Sequence, residues 1–141
     1  MKTTRLNDFY LLCDGAHREF YSVLLNDWQE IGLPWSCDEK MLHLSIHSVM
    51  KDTVFVCFSL HIGGLEMPSI RMDMQQWHNH LGQENTARFM RSITLLQGLK
   101  HQQRGDVFFI DSPGHALPPV QKELRNMIHQ FAVQLPNKIP L

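Results

Sequence analysis

With 141 residues, 43% of them apolar and 19% charged, the chain has the length and composition of one ordinary folded domain rather than a disordered tract. Its 13 Lys and Arg against 14 Asp and Glu leave a net charge of −1, too weak a field to gather phosphate backbones or acidic membranes. A nucleic-acid partner and a membrane partner are therefore not expected.

In the opening stretch "RLNDFYLLCDGAHREFYSVLLNDWQEIGLP", Leu6, Phe9, Cys13, Ala16, Phe20, Leu24, Trp28 and Ile31 recur every three or four residues. That spacing predicts a long amphipathic helix, with Gly15 allowing a kink or two shorter helices, and with Gly32 and Pro34 as the stop. "LPWSCDEK" reads as a loop. The period then changes to two. Leu42, Leu44 and Ile46 alternate with His43, Ser45 and His47, and Val54, Val56, Phe58, Leu60 and Ile62 alternate with Phe55, Cys57, Ser59 and His61. Two antiparallel strands joined near Met50 to Thr53 follow. After "HIGGLEMP" breaks the chain, "SIRMDM" resumes the alternation as a third strand, with Ile70, Met72 and Met74 on one side.

"WHNHLG", Trp77 to Gly82, reads as the connection to a helix that starts near Asn85 or Thr86, carries Ala87, Met90 and Ile93, and stops at Gly98. "KHQQRG" is a polar connector, and the tripeptide "RGD", Arg104 to Asp106, reads as a turn entering "DVFFID". "DVFFID" is a fourth strand by its β-branched and aromatic content. A last helix opens at Pro119, shows Val120, Leu124, Met127, Ile128, Phe131 and Leu135 as one stripe, and ends at Pro136. The fold class is α+β: residues 1–141 as a single domain, in the order α-β-β-β-α-β-α, with an antiparallel three- to four-stranded sheet and helices mainly on one of its faces.

If the apolar alternation meets the helices, the other face of the meander collects His43, His47, Cys57, His61, Arg71 and Asp73, the candidate binding face. One hairpin register sets His43 opposite His61 and His47 opposite Cys57, and a register shifted by two sets His43 opposite Ser59. Only the first resembles a ligand cluster. His78 and His80 at i, i+2 share a side only in an extended segment. The sequence holds no H-E-x-x-H, no G-x-S-x-G elbow and no Gly-rich phosphate loop. No catalytic residue, metal or cofactor is therefore assigned. "DSPGHALPP" brings Asp111 and His115 together in a loop, an arrangement able to host acid-base chemistry, but Asp and Ser also cap turns and helices routinely, and capping is the favoured reading.

The order helix, three-strand meander, helix and strand is similar to the restriction-endonuclease-like core, whose chemistry needs an acid on one strand and acid-x-Lys on the next. Asp52 or Asp73 could stand for the acid, but "SIRMDM" has no Lys two residues after one. The resemblance thus implies a non-catalytic relative.

No apolar run approaches the ~20 residues of a membrane span. "MKTTRLNDFYLLCDG" has polar and acidic residues where a secretory signal needs apolar ones, so a cytoplasmic location is expected. Cys13, Cys37 and Cys57 are odd in number and widely spaced, which fits free, mostly buried thiols. The functional expectation is a non-catalytic protein-binding module of chaperone, immunity or adaptor type. A homodimer is expected as well, from the surplus apolar residues Tyr10, Leu11, Tyr21, Val23, Leu25 and Trp28. The alternative is a metal-binding protein or hydrolase built on the His, Arg and Asp face.

Overall fold

A computed structural model describes residues 2–32, 35–37, 41–48, 53–62 and 67–134, without the side chains of 2–5, 46–48 and 134. The class is α+β, with four α-helices and a six-stranded antiparallel sheet among the described residues. The first helical stretch is two helices, α1 (Lys2–Leu12) and α2 (Gly15–Glu30). Asp14 separates them by adopting an extended backbone and accepting the amide of His17 on its side chain at 3.1 Å, a local bond that competes with helix continuation. Tyr21, Leu25 and Trp28 are buried, so half of the apolar surplus on this stretch belongs to the core. Leu11 and Leu12 remain exposed.

A short strand, β1 (Trp35–Cys37), pairs with β2 (Met41–Ser48), which pairs with β3 (Thr53–His61). Three residues are too few to show a period, and β1 therefore reads as loop in the sequence. The β2–β3 turn, like Leu135 and Pro136, lies outside the described residues. Leu44 pairs with Phe58 but Ser45 with Val56, so Cys57 is an extra residue in β3, a β-bulge. The bulge shifts the phase of β3: Phe55 and Cys57 join Phe58 and Leu60 in the core, and Val54 is turned out. The strict alternation expected through Val56 is corrected by that one residue. α3 (Met74–Thr94), which follows β4 (Ser69–Asp73), holds the bulge in place. The Val56 amide donates to Gln76 Oε1 at 3.1 Å, and the Trp77 indole N–H donates to the Cys57 carbonyl at 2.9 Å. Backbone groups that a bulge withdraws from the ladder must find such partners when buried.

"WHNHLG" is thus helical rather than a connection. The helix begins at Met74, capped by Asp73 Oδ1, which accepts the amides of Gln75 and Gln76 at 3.1 and 3.4 Å. Its break lies at Gly82, where φ is +84° and ψ 164°, a conformation that side chains with a Cβ avoid. Trp77 is fully buried, and His80 stacks on Phe55 with ring centroids 4.7 Å apart.

"KHQQR" is a strand. β5 (Lys100–Arg104) and β6 (Val107–Asp111) form a hairpin across the two-residue turn Gly105–Asp106. A short glycine-containing turn ahead of "VFFID" is itself a hairpin signal, but β5 has neither alternation nor β-branched residues to confirm it. The strand order is β1-β2-β3-β4-β6-β5. The two additional strands also break the element order that carries the similarity to the restriction-endonuclease-like core. A 3₁₀ turn, Pro113–His115, leads into α4 (Pro118–Gln134).

Helices α2, α3 and α4 converge on one residue of the sheet. The Phe58 ring lies 6.2 Å from Trp28, 5.5 Å from Trp77, 5.9 Å from Phe89 and 5.8 Å from Phe131. Phe131 is only partly buried, so Phe131→Ala should cost about 2–3 kcal/mol, short of the roughly 3–5 kcal/mol of a fully buried Phe. Urea unfolding checks this; a loss below about 1 kcal/mol would place the α4 stripe outside the core.

Candidate functional site

Register decides what the other side of the sheet presents. Leu42, Leu60, Ile70 and Ile110 stand in line across four strands and are fully buried. The neighbouring row, one residue along each strand, is His43, Ser59, Arg71, Phe109 and Gln102, and alternation turns it to the opposite face. These side chains are part-exposed, and that of Gln102 is exposed. The guanidinium carbons of Arg71 and Arg104 each lie 4.9 Å from the centre of the Phe109 ring. Two cations therefore flank one aromatic ring on the open face.

The residues expected on this face meet different fates. His43 and Arg71 stand in the row, with His43 Nδ1 3.0 Å from Ser59 Oγ and Arg71 Nε donating to Ser69 Oγ at 3.0 Å. His61 is buried, and its carbonyl accepts the Tyr21 hydroxyl at 3.1 Å. Asp73 serves as the cap of α3. Cys57 is turned into the core by the bulge, 2% exposed, and burial pushes its thiol pKa well up. His47 pairs with Val54, and its side chain lies outside the described residues. The hairpin register is the one that sets His43 opposite Ser59, so the His43–His61 pair required for a ligand cluster does not form. The His43–Ser59 contact has the reach of a base and a nucleophile. Ser59, however, sits between two paired strands, whose amides are committed to the ladders and cannot line an oxyanion hole. Phe109 and Arg104 escape a reading of the meander alone, because they come from the β5–β6 hairpin.

A second polar cluster joins the start of α2 to the turn after β6. Asp14 Oδ1 lies 2.7 Å from His17 Nδ1, and Asp14 Oδ2 lies 2.6 Å from His115 Nε2. Buried His17 accepts the Gly114 amide on Nε2 at 3.0 Å. The approach is so close that a Cβ at Gly114 would come within 2.9 Å of the His17 ring, which only glycine avoids. Ser112 starts this turn in the left-handed conformation, φ 46°, and the Gln121 side-chain amide ties the carbonyls of Gly114 and Ala116 at 2.9 and 2.8 Å. Burial would raise the Asp14 pKa, but the hydrogen bonds from His115 and His17 outweigh it and hold the carboxyl below its ordinary value. Burial pushes the His17 pKa down, with Asp14 opposing.

The donor atoms of Asp14, His17 and His115 lie within 4.8 Å of one another, close enough for a divalent ion. The tautomer argues against one. Nε2 of His17 receives the Gly114 N–H, so the proton of the neutral ring is on Nδ1 and points at Asp14. A metal on Nδ1 would move that proton to Nε2, against another N–H, whereas ligating histidines place the far N–H on an acceptor. The neighbouring Cys13 is no nucleophile either, because burial first and then the Asp14 charge raise its thiol to about 12. The cluster is a structural tie. Its sequence signal is Asp14 three residues before His17, a capping spacing hidden inside an otherwise continuous helical stripe.

All three cysteines are buried and none is in a disulfide, and no helix among the described residues is long and apolar enough to cross a membrane. No family model, curated protein or solved structure matches the chain.

Proposed function

We propose that the chain is a non-catalytic protein-binding module whose contact surface is the open face of the sheet, centred on Phe109 between Arg71 and Arg104. The observation that carries this reading is the guanidinium–ring–guanidinium stack. Arg and aromatic residues are the types that concentrate binding energy at protein interfaces, because each covers apolar area and still offers directed hydrogen bonds. Six strands at about 4.8 Å spacing make a face about 24 Å across, broad and flat enough for a protein and poorly shaped to enclose a small molecule.

On this reading the chain acts in the cytoplasm as an adaptor, dedicated chaperone or immunity-type protein. It needs no cofactor, and nucleic acid and membrane are not partners. Self-association, with exposed Leu11 and Leu12 as the contact, is compatible with it. The test is affinity capture from cells that carry the gene, comparing the native chain with Arg71→Ala/Phe109→Ala. We expect a protein held by the native chain and lost from the variant, with unchanged thermal unfolding. Identical retained proteins would overturn the open-face reading.

A further inference from the structure

From the edge of the sheet we infer that β5 takes up an extended, acidic segment of the protein partner as a seventh strand. This rests on the reading of the chain as a protein-binding module and adds how the partner is held. β5 is last in the strand order, all of its residues are exposed, and nothing among the described residues pairs beyond it. Arg104 and Val107 close the two-residue turn of the β5–β6 hairpin as neighbours in register. Such a closing pair is hydrogen-bonded, and the alternation of an antiparallel ladder then turns the N–H and C=O groups of His101 and Gln103 away from β6. They form a ready template for one more strand.

The side chains decide which strand. Lys100, Gln102 and Arg104 share one face, that of the Phe109 stack, with the two cations four residues apart. Among the described residues neither cation lies within ion-pair distance of a carboxylate. A second copy of β5 in full antiparallel overlap, His101 against Gln103, would set Lys100 opposite Arg104, and like charges directly opposed destabilise a pair. An incoming strand with acidic residues four positions apart removes that repulsion and meets both cations on the face they share. The edge thus selects against itself and for an acidic partner.

The test uses a fluorescein-labelled nonapeptide with Glu at its third and seventh positions and Thr or Val between, and a counterpart with Lys in place of Glu, titrated up to 1 mM chain. Three results are expected: the acidic peptide binds at least tenfold more tightly than the basic one; Gln103→Pro weakens it at least tenfold; and Lys100→Glu/Arg104→Glu reverses the preference. Gln103→Pro should retain its unfolding transition, because the amide it removes faces outward and proline is tolerated at such edge positions. Equal binding of both peptides, or no binding by 1 mM, would overturn the inference. A concentration-dependent dimer abolished by Gln103→Pro would also overturn it, placing a second copy on the edge. A captured partner lost with Arg71→Ala/Phe109→Ala but kept by Gln103→Pro would overturn the edge inference and leave the open-face reading standing.

Discussion

Trp77→Ala is expected to cost about 4–6 kcal/mol, more than any other single truncation in the aromatic cluster, and to leave the chain barely folded at ambient temperature. The ring is fully buried and packs 4.7 Å from Phe131, 5.1 Å from Phe89 and 5.5 Å from Phe58. Truncating a buried aromatic to alanine costs roughly 3–5 kcal/mol through lost transfer energy and the cavity left behind. The indole N–H adds a second loss, because it satisfies the Cys57 carbonyl at the bulge, and a buried carbonyl left without a partner costs about 1–3 kcal/mol. Against a typical total of about 5–15 kcal/mol, that sum removes most of the stability. Trp77→Phe separates the parts: it keeps an aromatic ring but loses the donor, and should cost about 1–3 kcal/mol. Urea unfolding of both variants is the measurement. A loss below about 2 kcal/mol in Trp77→Ala would mean that the bulge and the aromatic cluster do not depend on this ring.

The same residue explains where the sequence is legible and where it is not. The stripe of α4, the hydrophobic run of β6 and the alternation of β2 are local patterns, and each predicts its element, since burial on one face dictates the period. The bulge at Cys57 leaves no such trace. β3 alternates plausibly in either phase, and the choice is made by Gln76 and Trp77, some twenty residues away, which take the backbone groups the bulge releases. The "WHNHLG" stretch looks like a connection for the matching reason: Asp73 has the position of an outward strand residue, and only the fold shows it capping a helix. Strand β5 is invisible in the sequence because an exposed edge imposes no apolar period. The candidate face shares this fate. His43 and Arg71 follow from alternation alone, whereas the partners of Arg71, Phe109 and Arg104, come from a hairpin whose first strand has the sequence of a polar connector.

The tie at Asp14 should make stability fall on acidification earlier than carboxylates alone would cause, with His17 responsible. The groups facing the His17 ring are Asp14 at its own helix start, His115 from the 3₁₀ turn at 4.6 Å between ring centroids, and the Tyr21 ring at 5.7 Å. Burial lowers the His17 pKa below its ordinary 6.5. The unfolded chain therefore takes up a proton near pH 6.5 while the folded chain does not, and each step down in pH below that point favours unfolding. The contribution is fully present above about pH 7 and is lost as pH falls, at a slope of at most about 1.4 kcal/mol per pH unit for one group. Asp14, also lowered from its ordinary 3.8, adds stability that persists down to about pH 4 and is lost below it. Protonation of His17 has a structural meaning as well, since a proton on Nε2 would face the Gly114 N–H and part α2 from the turn after β6. His17→Phe should destabilise the chain at pH 7.5, because it leaves the Gly114 amide unpaired, but it should flatten the fall in stability between pH 6.5 and 5. Urea midpoints for both proteins across that range give the answer. An unchanged slope in His17→Phe would assign the acid sensitivity to other histidines and reduce the tie to packing alone.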